Sequence, residues 1–251
     1  MSVLEKSTRV YLLDCPVDCL TLDETAAAVD KIINSRKPHQ HCVINAGKLV
    51  LMQRDPELKR IVKNSDLINA DGQSVVWALK LLGTPLPARV TGIDLMERLF
   101  IEADKKNYRI FFLGAQQDVL NDVLRYVSRN FPGLVVAGSQ HGYFEKKDEL
   151  ALIEMINATD ADILFVAMGS PKKEYWLGQY TPKLTVPFCM GVGGSFNVVA
   201  GRARRAPQWI QTAGMEWFYR WAQEPIRLWR RYWIDNFIFV FLVSISATPS
   251  P

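Results

Sequence analysis

Apolar residues along this chain fall into short runs that end on small or polar residues, with amphipathic stretches between them. VYLLD (10–14) and DCL (18–20) flank Pro16 and predict a small N-terminal hairpin. TLDETAAAVDKIINSRK then opens with Thr21 and Glu24 at the spacing of a capping box, in which each side chain accepts the other residue's backbone N–H, and it continues as a helix. HCVINAG (41–47) and DLINADG (66–72) predict short buried strands. RIFFLGA (109–115), DILFVAMG (162–169) and VPFCMGVGG (186–194) are stronger signals of the same kind. Helical patterns fill 92–106, 116–130, 145–157 and 171–180. Strands alternating with helices of this length predict an α/β fold, a parallel sheet with helices on both faces. Beyond residue 201 the strand-like runs stop, and Arg, Trp and apolar residues follow at helical spacing, divided by Pro225. The expected organisation is a core over residues 1–200 and a C-terminal helical appendage over 201–251.

Charge sharpens that division. Hydrophobic residues make up 49% of the 251 and charged residues 22%, a globular composition. The net charge is +4, yet residues 201–231 alone hold seven arginines against two glutamates. The remainder is neutral to slightly acidic, so the basicity belongs to one end and calls for a local partner. A nucleic-acid binder, which spreads positive charge over its binding face, is disfavoured by that confinement. The four cysteines form no CxxC pair and the three histidines no zinc pattern, which predicts reduced thiols in a cytosolic protein. MSVLEKSTRVYLLD contains no long apolar segment of a secretion signal, and the longest apolar run, FIFVFLV (237–243), is too short to span a bilayer.

Three strands end in small residues: LGA with Gly114, MGSP with Gly169, and GVGGS with Gly191, Gly193, Gly194 and Ser195. In an open parallel sheet, ligands bind outside the carboxyl ends of the strands, where the next helix offers free N–H groups to anions. Tight strand–helix turns would use the same residues, but three such loops in one sheet favour a nucleotide or phosphate ligand. GVGGS has neither the order of a P-loop nor that of GxGxxG, which demotes kinase and dehydrogenase chemistry. Asp71, in NADGQS, either caps the following helix or takes a proton from an attacking hydroxyl. Arg89, just before a helix, is either a surface charge or a bidentate clamp for a diphosphate.

INAG, NADGQS, LPARVTGIDL, FFLGA, HGYF, ILFVAMGSPKKEYW, GVGGSFNVVAGRARRAP and GMEWFYRWAQEPIRLWRR together resemble the WecG/TagA/CpsF glycosyltransferase family, glycosyltransferase family 26, in the family's order from about residue 8 to 233. The resemblance implies a Rossmann-like fold of the GT-E type and an inverting transferase that needs neither metal nor cofactor. It implies a UDP-sugar donor, a polyprenyl-diphosphate-linked sugar as acceptor, and a place at the cytoplasmic face of the cell membrane in cell-surface polysaccharide or teichoic acid synthesis. Position by position, Asp71 matches the proposed catalytic base, and Asn45, Arg89 and Thr91 lie in motifs that contact donor or substrate. Tyr143 and the GVGGSFN loop through Asn197 match the region that holds UDP. Arg220, Arg227, Arg230 and Arg231 match appendage arginines thought to complete the site over the diphosphate. It also implies self-association of the core. Two positions depart from the family: Lys173 stands where PKQE often has Gln, and Val43-Ile44 precede Asn45 where many members have Thr-Pro. N-acetylmannosamine, glucose and a uronic acid all remain open as the sugar. Lys172 or Lys173, arginines and helix N-termini would supply the positive charge for a departing diphosphate.

After Pro225, Arg227, Arg230 and Arg231 share one helical face, while Trp229, Trp233, Phe237 and Phe241 follow at i+4 steps on another. A basic amphipathic helix with aromatics predicts peripheral attachment to a membrane surface. The competing expectation is an ordinary core-packing helix. A non-catalytic nucleotide-sensing protein of the same fold is the functional alternative, and it predicts that Asp71 is replaceable.

Overall fold

The computed structural model describes residues 8–223, 225, 226 and 233–247. β1 (Arg9–Leu12) and β2 (Cys15–Asp18) form the N-terminal antiparallel hairpin, closed by Leu13 and Asp14 at φ of 50° and 63°. Two consecutive left-handed residues match the twist of the strands they join. α1 (Leu22–Ser35) starts on the Thr21–Glu24 capping box that the sequence predicts. Then come β3 (His39–Ile44), α2 (Ala46–Met52), α3 (Pro56–Lys63), β4 (Leu67–Ala70), α4 (Gln73–Leu81), α5 (Gly92–Lys106), β5 (Arg109–Gly114), α6 (Gln117–Asn130) and β6 (Val135–Gln140). α7 (Glu149–Asn157), β7 (Ile163–Ala167), α8 (Lys172–Tyr180), β8 (Phe188–Gly191) and α9 (Ser195–Val199) follow. The appendage holds α10 (Gln208–Thr212), α11 (Glu216–Gln223) and α12 (Asp235–Ala247).

The six strands β3–β8 make one parallel sheet in the order β4-β3-β8-β7-β5-β6. Its strands alternate between two buried faces. Ile110, Phe112, Ile163, Phe165, Phe188 and Met190 point into a layer with α1, α5 and α6, where Phe100 meets Phe165 edge-on at 5.8 Å. Phe111, Leu113, Leu164, Val166 and Cys189 face α7 and α8, while Cys42, Ile44, Ile68 and Ala70 face α2, α3 and α4. This is the α/β architecture expected, Rossmann-like in its parallel sheet with helices on both sides.

Three features depart from the pattern reading. β6 has no clear apolar run in the sequence: it is a half-exposed edge strand containing Gly138, with a register shift opposite Ile110 and Phe111. The short helices α2, α3 and α4 run only seven to nine residues, too little for periodicity to separate helix from apolar run. The FIFVFLV segment combines the two expectations for it: Phe239 and Val243 of α12 are buried in the cluster that contains Leu49, Val50 and Met52 of α2. Phe237, Val240, Phe241 and Ile245 of the same helix stay exposed.

Candidate functional site at the carboxyl edge of the sheet

The loops after β3 and β4 are fixed to each other. The Asp71 N–H donates to the Ile44 carbonyl at 2.9 Å, continuing the β3–β4 ladder by one bond. Asn45 ends β3 and caps α2, its Oδ1 accepting the Lys48 N–H at 3.0 Å. A β-carbon at Gly72 would lie 3.2 Å from Cβ of Asn45, a tighter contact than most side chains make, so the two loops approach each other closely there. α4 begins at Gly72 with no side-chain cap. Asp71 is therefore not its capping residue. Half-buried, the Asp71 carboxylate has no hydrogen-bond or ion-pair partner among the described residues.

Arg89 lies beside it, because the next residue, Val90, donates its N–H to Ala70 at 3.0 Å. The Arg89 guanidinium is 3.3 Å from the carboxylate of Glu216, in the first turn of α11. Thr91 is the N-cap of α5: its Oγ1 accepts the Asp94 N–H at 3.1 Å and donates to Asp94 Oδ2 at 2.6 Å. That capping accounts for its buried hydroxyl.

On the other half of the edge, Gly114 at φ 120° lies so close to β7 that a β-carbon would sit 2.5 Å from the Ala167 carbonyl oxygen. Its glycine is set by packing. Gly142 donates its N–H to the Ala115 carbonyl at 2.9 Å, which holds the HGYF loop over the end of β5 and leaves the Tyr143 ring 70% exposed. Lys172 extends over the Phe144 ring at 5.5 Å. Gly169 and Gly194 each face open space, with nothing within 4 Å of a β-carbon placed there. Gly193 has a φ of 53°, a conformation natural to glycine.

The GVGGS loop both turns on itself and leaves amides free. Val192 donates to Val166 at 2.9 Å, Ser195 to Val192 at 3.1 Å and Asn197 to Gly194 at 3.1 Å. The N–H groups of Gly194 and Phe196 have no hydrogen-bond partner among the described residues. Ser195 is buried, whereas the Asn197 side chain is exposed; the Asn197 backbone carbonyl accepts the Arg202 and Ala203 N–H groups at 2.9 and 3.0 Å.

Beneath the loop lies a charged cluster that the sequence reading did not assemble. Glu174 Oε1 is 2.7 Å from Lys48 Nζ and 2.7 Å from Lys173 Nζ, and all three side chains are at most 10% exposed. Lys48 Nζ also donates to the Val43 carbonyl at 2.6 Å. Burial opposes ionisation of Glu174, but the two ammonium groups outweigh it and hold its carboxyl at about 2. Lys48 is raised by Cys42 and Glu174 in spite of burial, while burial and then Lys48 lower Lys173. A β-carbon at Gly191 would meet Lys173 Cδ at 3.0 Å, so the Lys173 stem runs directly under the loop. A cavity of about 10 Å³, no larger than a water, adjoins the cluster. Next to it on β3, His41 places Nε2 2.9 Å from Asn69 Oδ1, and burial pushes its imidazole down to about 4. Lys48 and Glu174 stand far apart in sequence, and only the lone lysine after INAG and the charged PKKE hinted at a pairing.

The arginines of the appendage separate into different groups. Arg202 pairs with Asp118 and Asp122 of α6, and Arg205 with Asp94 and Glu97 of α5. These two fasten the start of the appendage to the core. Gly214, at φ 72°, packs against Gln73 and Trp77 of α4, which brings α11 to Arg89. Arg227, Arg230 and Arg231 lie outside the described residues, as does the side chain of Arg220, whose backbone belongs to α11. Trp233, Phe237, Phe241 and Ile245 form an exposed row at i+4 spacing. Among the described residues no helix is long and apolar enough to cross a membrane, and no three metal-ligating side chains converge.

The structure thus gathers Asn45, Asp71, Arg89, Thr91, Tyr143, Gly169, Gly191 and the GVGGS loop at one edge, with Lys173 below and Lys172 at the rim. A second, larger cavity of about 580 Å³ opens at the opposite, amino edge, among Asn34, Arg36, Lys106, Tyr108, Arg109 and Asp162.

An N-acetylglucosaminyldiphosphoundecaprenol N-acetyl-beta-D-mannosaminyltransferase of Bacillus spizizenii is 37% identical over 198 residues, covering 79% of this chain and 76% of its own. A protein of the same name from Bacillus subtilis is 34% identical over 178 residues, 71% of this chain and 68% of its own. The profile of the glycosyl transferase WecG/TagA/CpsF family matches residues 10–250, and the chain belongs to that family.

Proposed function

We propose that this glycosyltransferase moves a sugar from a UDP donor onto a polyprenyl-diphosphate-linked sugar, with inversion and with Asp71 as the general base. The observation that carries the reading is the unpartnered Asp71 carboxylate, held at the sheet's carboxyl edge beside Arg89. A single displacement needs one base at the acceptor hydroxyl. As the acceptor oxygen bonds to the anomeric carbon, its proton passes to Asp71, and the bond from that carbon to the donor's phosphate oxygen breaks, leaving UDP with the electron pair. Positive groups near the leaving diphosphate stabilise the transition state. Arg89, Lys172, the open amides of Gly194 and Phe196, and the appendage residues Arg220, Arg227, Arg230 and Arg231 are assigned that work, without a metal or other cofactor. Asn45 and Thr91 shape the floor, and Tyr143, Gly169, Ser195 and Asn197 border the nucleotide.

The names of the two relatives make N-acetylmannosamine the first donor to try and N-acetylglucosaminyl-diphosphoundecaprenol the first acceptor. Glucose and a uronic acid remain alternatives because Lys173 changes the charge at that position. The exposed row Trp233, Phe237, Phe241 and Ile245 is assigned to the cytoplasmic membrane surface, where the lipid acceptor resides. Self-association of the core goes with this reading, as does the division at residue 200.

The test is a donor screen: the full chain is mixed with UDP-N-acetylmannosamine, UDP-glucose or UDP-glucuronate and a polyprenyl-diphosphate N-acetylglucosamine analogue, and UDP release is followed with the disaccharide product. Transfer from one donor, lost on omitting the acceptor, supports the reading. UDP binding with no turnover from any donor would instead favour a nucleotide sensor.

A further inference from the structure

Three charges are buried under the glycine loop, and they do not sum to zero. Lys48 and Lys173 converge on one oxygen of Glu174 at 2.7 Å each, with side chains 5%, 10% and 3% exposed. Lys48 has a further acceptor in the Val43 carbonyl, whereas Lys173 has only the shared carboxylate among the described residues. A buried charge without a full counter-charge destabilises the fold, so a surplus of one positive charge calls for an anion. The geometry shows where it would sit. Lys173 Nζ lies 3.9 Å from the position of a β-carbon on Gly193, and the loop above it leaves the Gly194 and Phe196 N–H groups without partners.

We infer that Lys173 is a positioning residue for the donor: its ammonium, held by Glu174 from below, biases the GVGG loop toward the diphosphate, whose charge balances the buried cluster. The inference rests on the proposed UDP donor and adds a partner to that site. Lys173 acts through the loop, since Gly191 lies against its stem and the ammonium remains on Glu174.

The test uses the full chain and two probes, UDP and uridine, titrated by calorimetry, with thermal melting of the same samples. Wild-type protein that fails to bind UDP sinks the proposed function itself, separately from this inference. Given wild-type binding, Lys173→Met leaves the neutral Lys48–Glu174 pair, so it should weaken UDP about tenfold, keep uridine affinity, and melt at or above the wild-type temperature. Glu174→Gln raises the surplus to two charges; it should tighten UDP and lower the melting temperature. A purely structural cluster gives a different result: Lys173→Met then melts lower while the UDP-to-uridine affinity ratio stays at the wild-type value, and that outcome overturns the inference. Should Glu174→Gln fail to fold, the Lys173→Met ratio decides alone.

Discussion

The amino edge of the sheet opens a cavity of about 580 Å³, yet most of its charged groups already have partners, the exposed Asp160 excepted. Asp162 accepts from Arg36 at 2.5 Å and from the Arg109 N–H at 2.8 Å, Lys106 meets Asp30 at 2.7 Å, and the Arg109 side chain donates to the Thr159 carbonyl at 3.1 Å. At the carboxyl edge, by contrast, the Asp71 carboxylate and two amides of the glycine loop have no partner among the described residues. Both edges come from the same strands and similar turns. The difference lies in what their polar groups are already bound to. Charges that already bond one another gain little from a ligand, whereas groups without partners gain new bonds from one. Unmet bonding capacity is what the proposed site at the carboxyl edge rests on.

Four experiments break or sharpen that contrast. Asp71→Asn keeps the side chain's shape but removes its capacity as a base, so turnover should fall about 10²–10⁴-fold with UDP affinity and melting temperature unchanged. A fully active variant would return Asp71 to the background. Between the two edges, His41 provides a pH test. Its buried imidazole titrates at about 4 instead of 6.5, so over that interval the unfolded chain binds a proton that the native protein does not. Stability is therefore complete above about pH 6.5 and should fall by roughly 3 kcal/mol on acidification to about pH 4. Urea titrations at both ends would show it, and His41→Gln, which keeps a donor for Asn69, should lack that fall.

Asp162→Ala is the amino-edge counterpart of the first experiment. Losing the acceptor for Arg36 and the Arg109 amide should cost about 2 kcal/mol of stability, read by denaturant titration, while the rate per folded molecule holds. A loss of UDP affinity there would break the contrast. The smallest effect belongs to Gly194→Val. With an ordinary φ of −75° and open space around it, the position accepts a side chain without strain. Melting should be unaffected while UDP binding weakens about tenfold; equal affinity would remove the loop from the nucleotide site.

Much of the architecture is legible in the sequence because RIFFLGA, DILFVAMG and VPFCMGVGG are both apolar throughout and bounded by small residues. Once strands are parallel, chain direction alone places Gly114, Gly169 and Gly191 on one edge, and so the glycine loops are readable as neighbours. Strand order is not readable that way, since β8 pairs with β3 through contacts that leave no periodic trace. Charge patterns were the least legible. The sum over residues 201–231 is plain, yet Arg202 and Arg205 answer acidic residues on α5 and α6, and nothing local in GRARRAP marks them as fasteners. The Lys48–Glu174 contact was hidden for the same reason. In the sequence Asp71 fits a cap as well as a base, and the structure removes the first, because the N-cap of α4 is Gly72.

The position of β8 has a consequence for how the protein is made. Among the described residues it is the last of the sheet's strands in chain order, yet it sits in the middle of the sheet, with His39 and Phe188 as register partners. Until it emerges, the nascent chain can hold only two separate pieces, β4-β3 and β7-β5-β6, each with an unpaired edge facing the gap. Asp71 belongs to the first piece, Gly114 and Gly169 to the second, and the glycine loop follows the strand that joins them. Long-range pairing of this kind is slow and leaves apolar edges open to other chains while it waits. The arrangement also means that a partly synthesised chain has no assembled edge at all: the carboxyl edge that carries Asp71 and the glycine loop comes into being in the same step that closes the sheet.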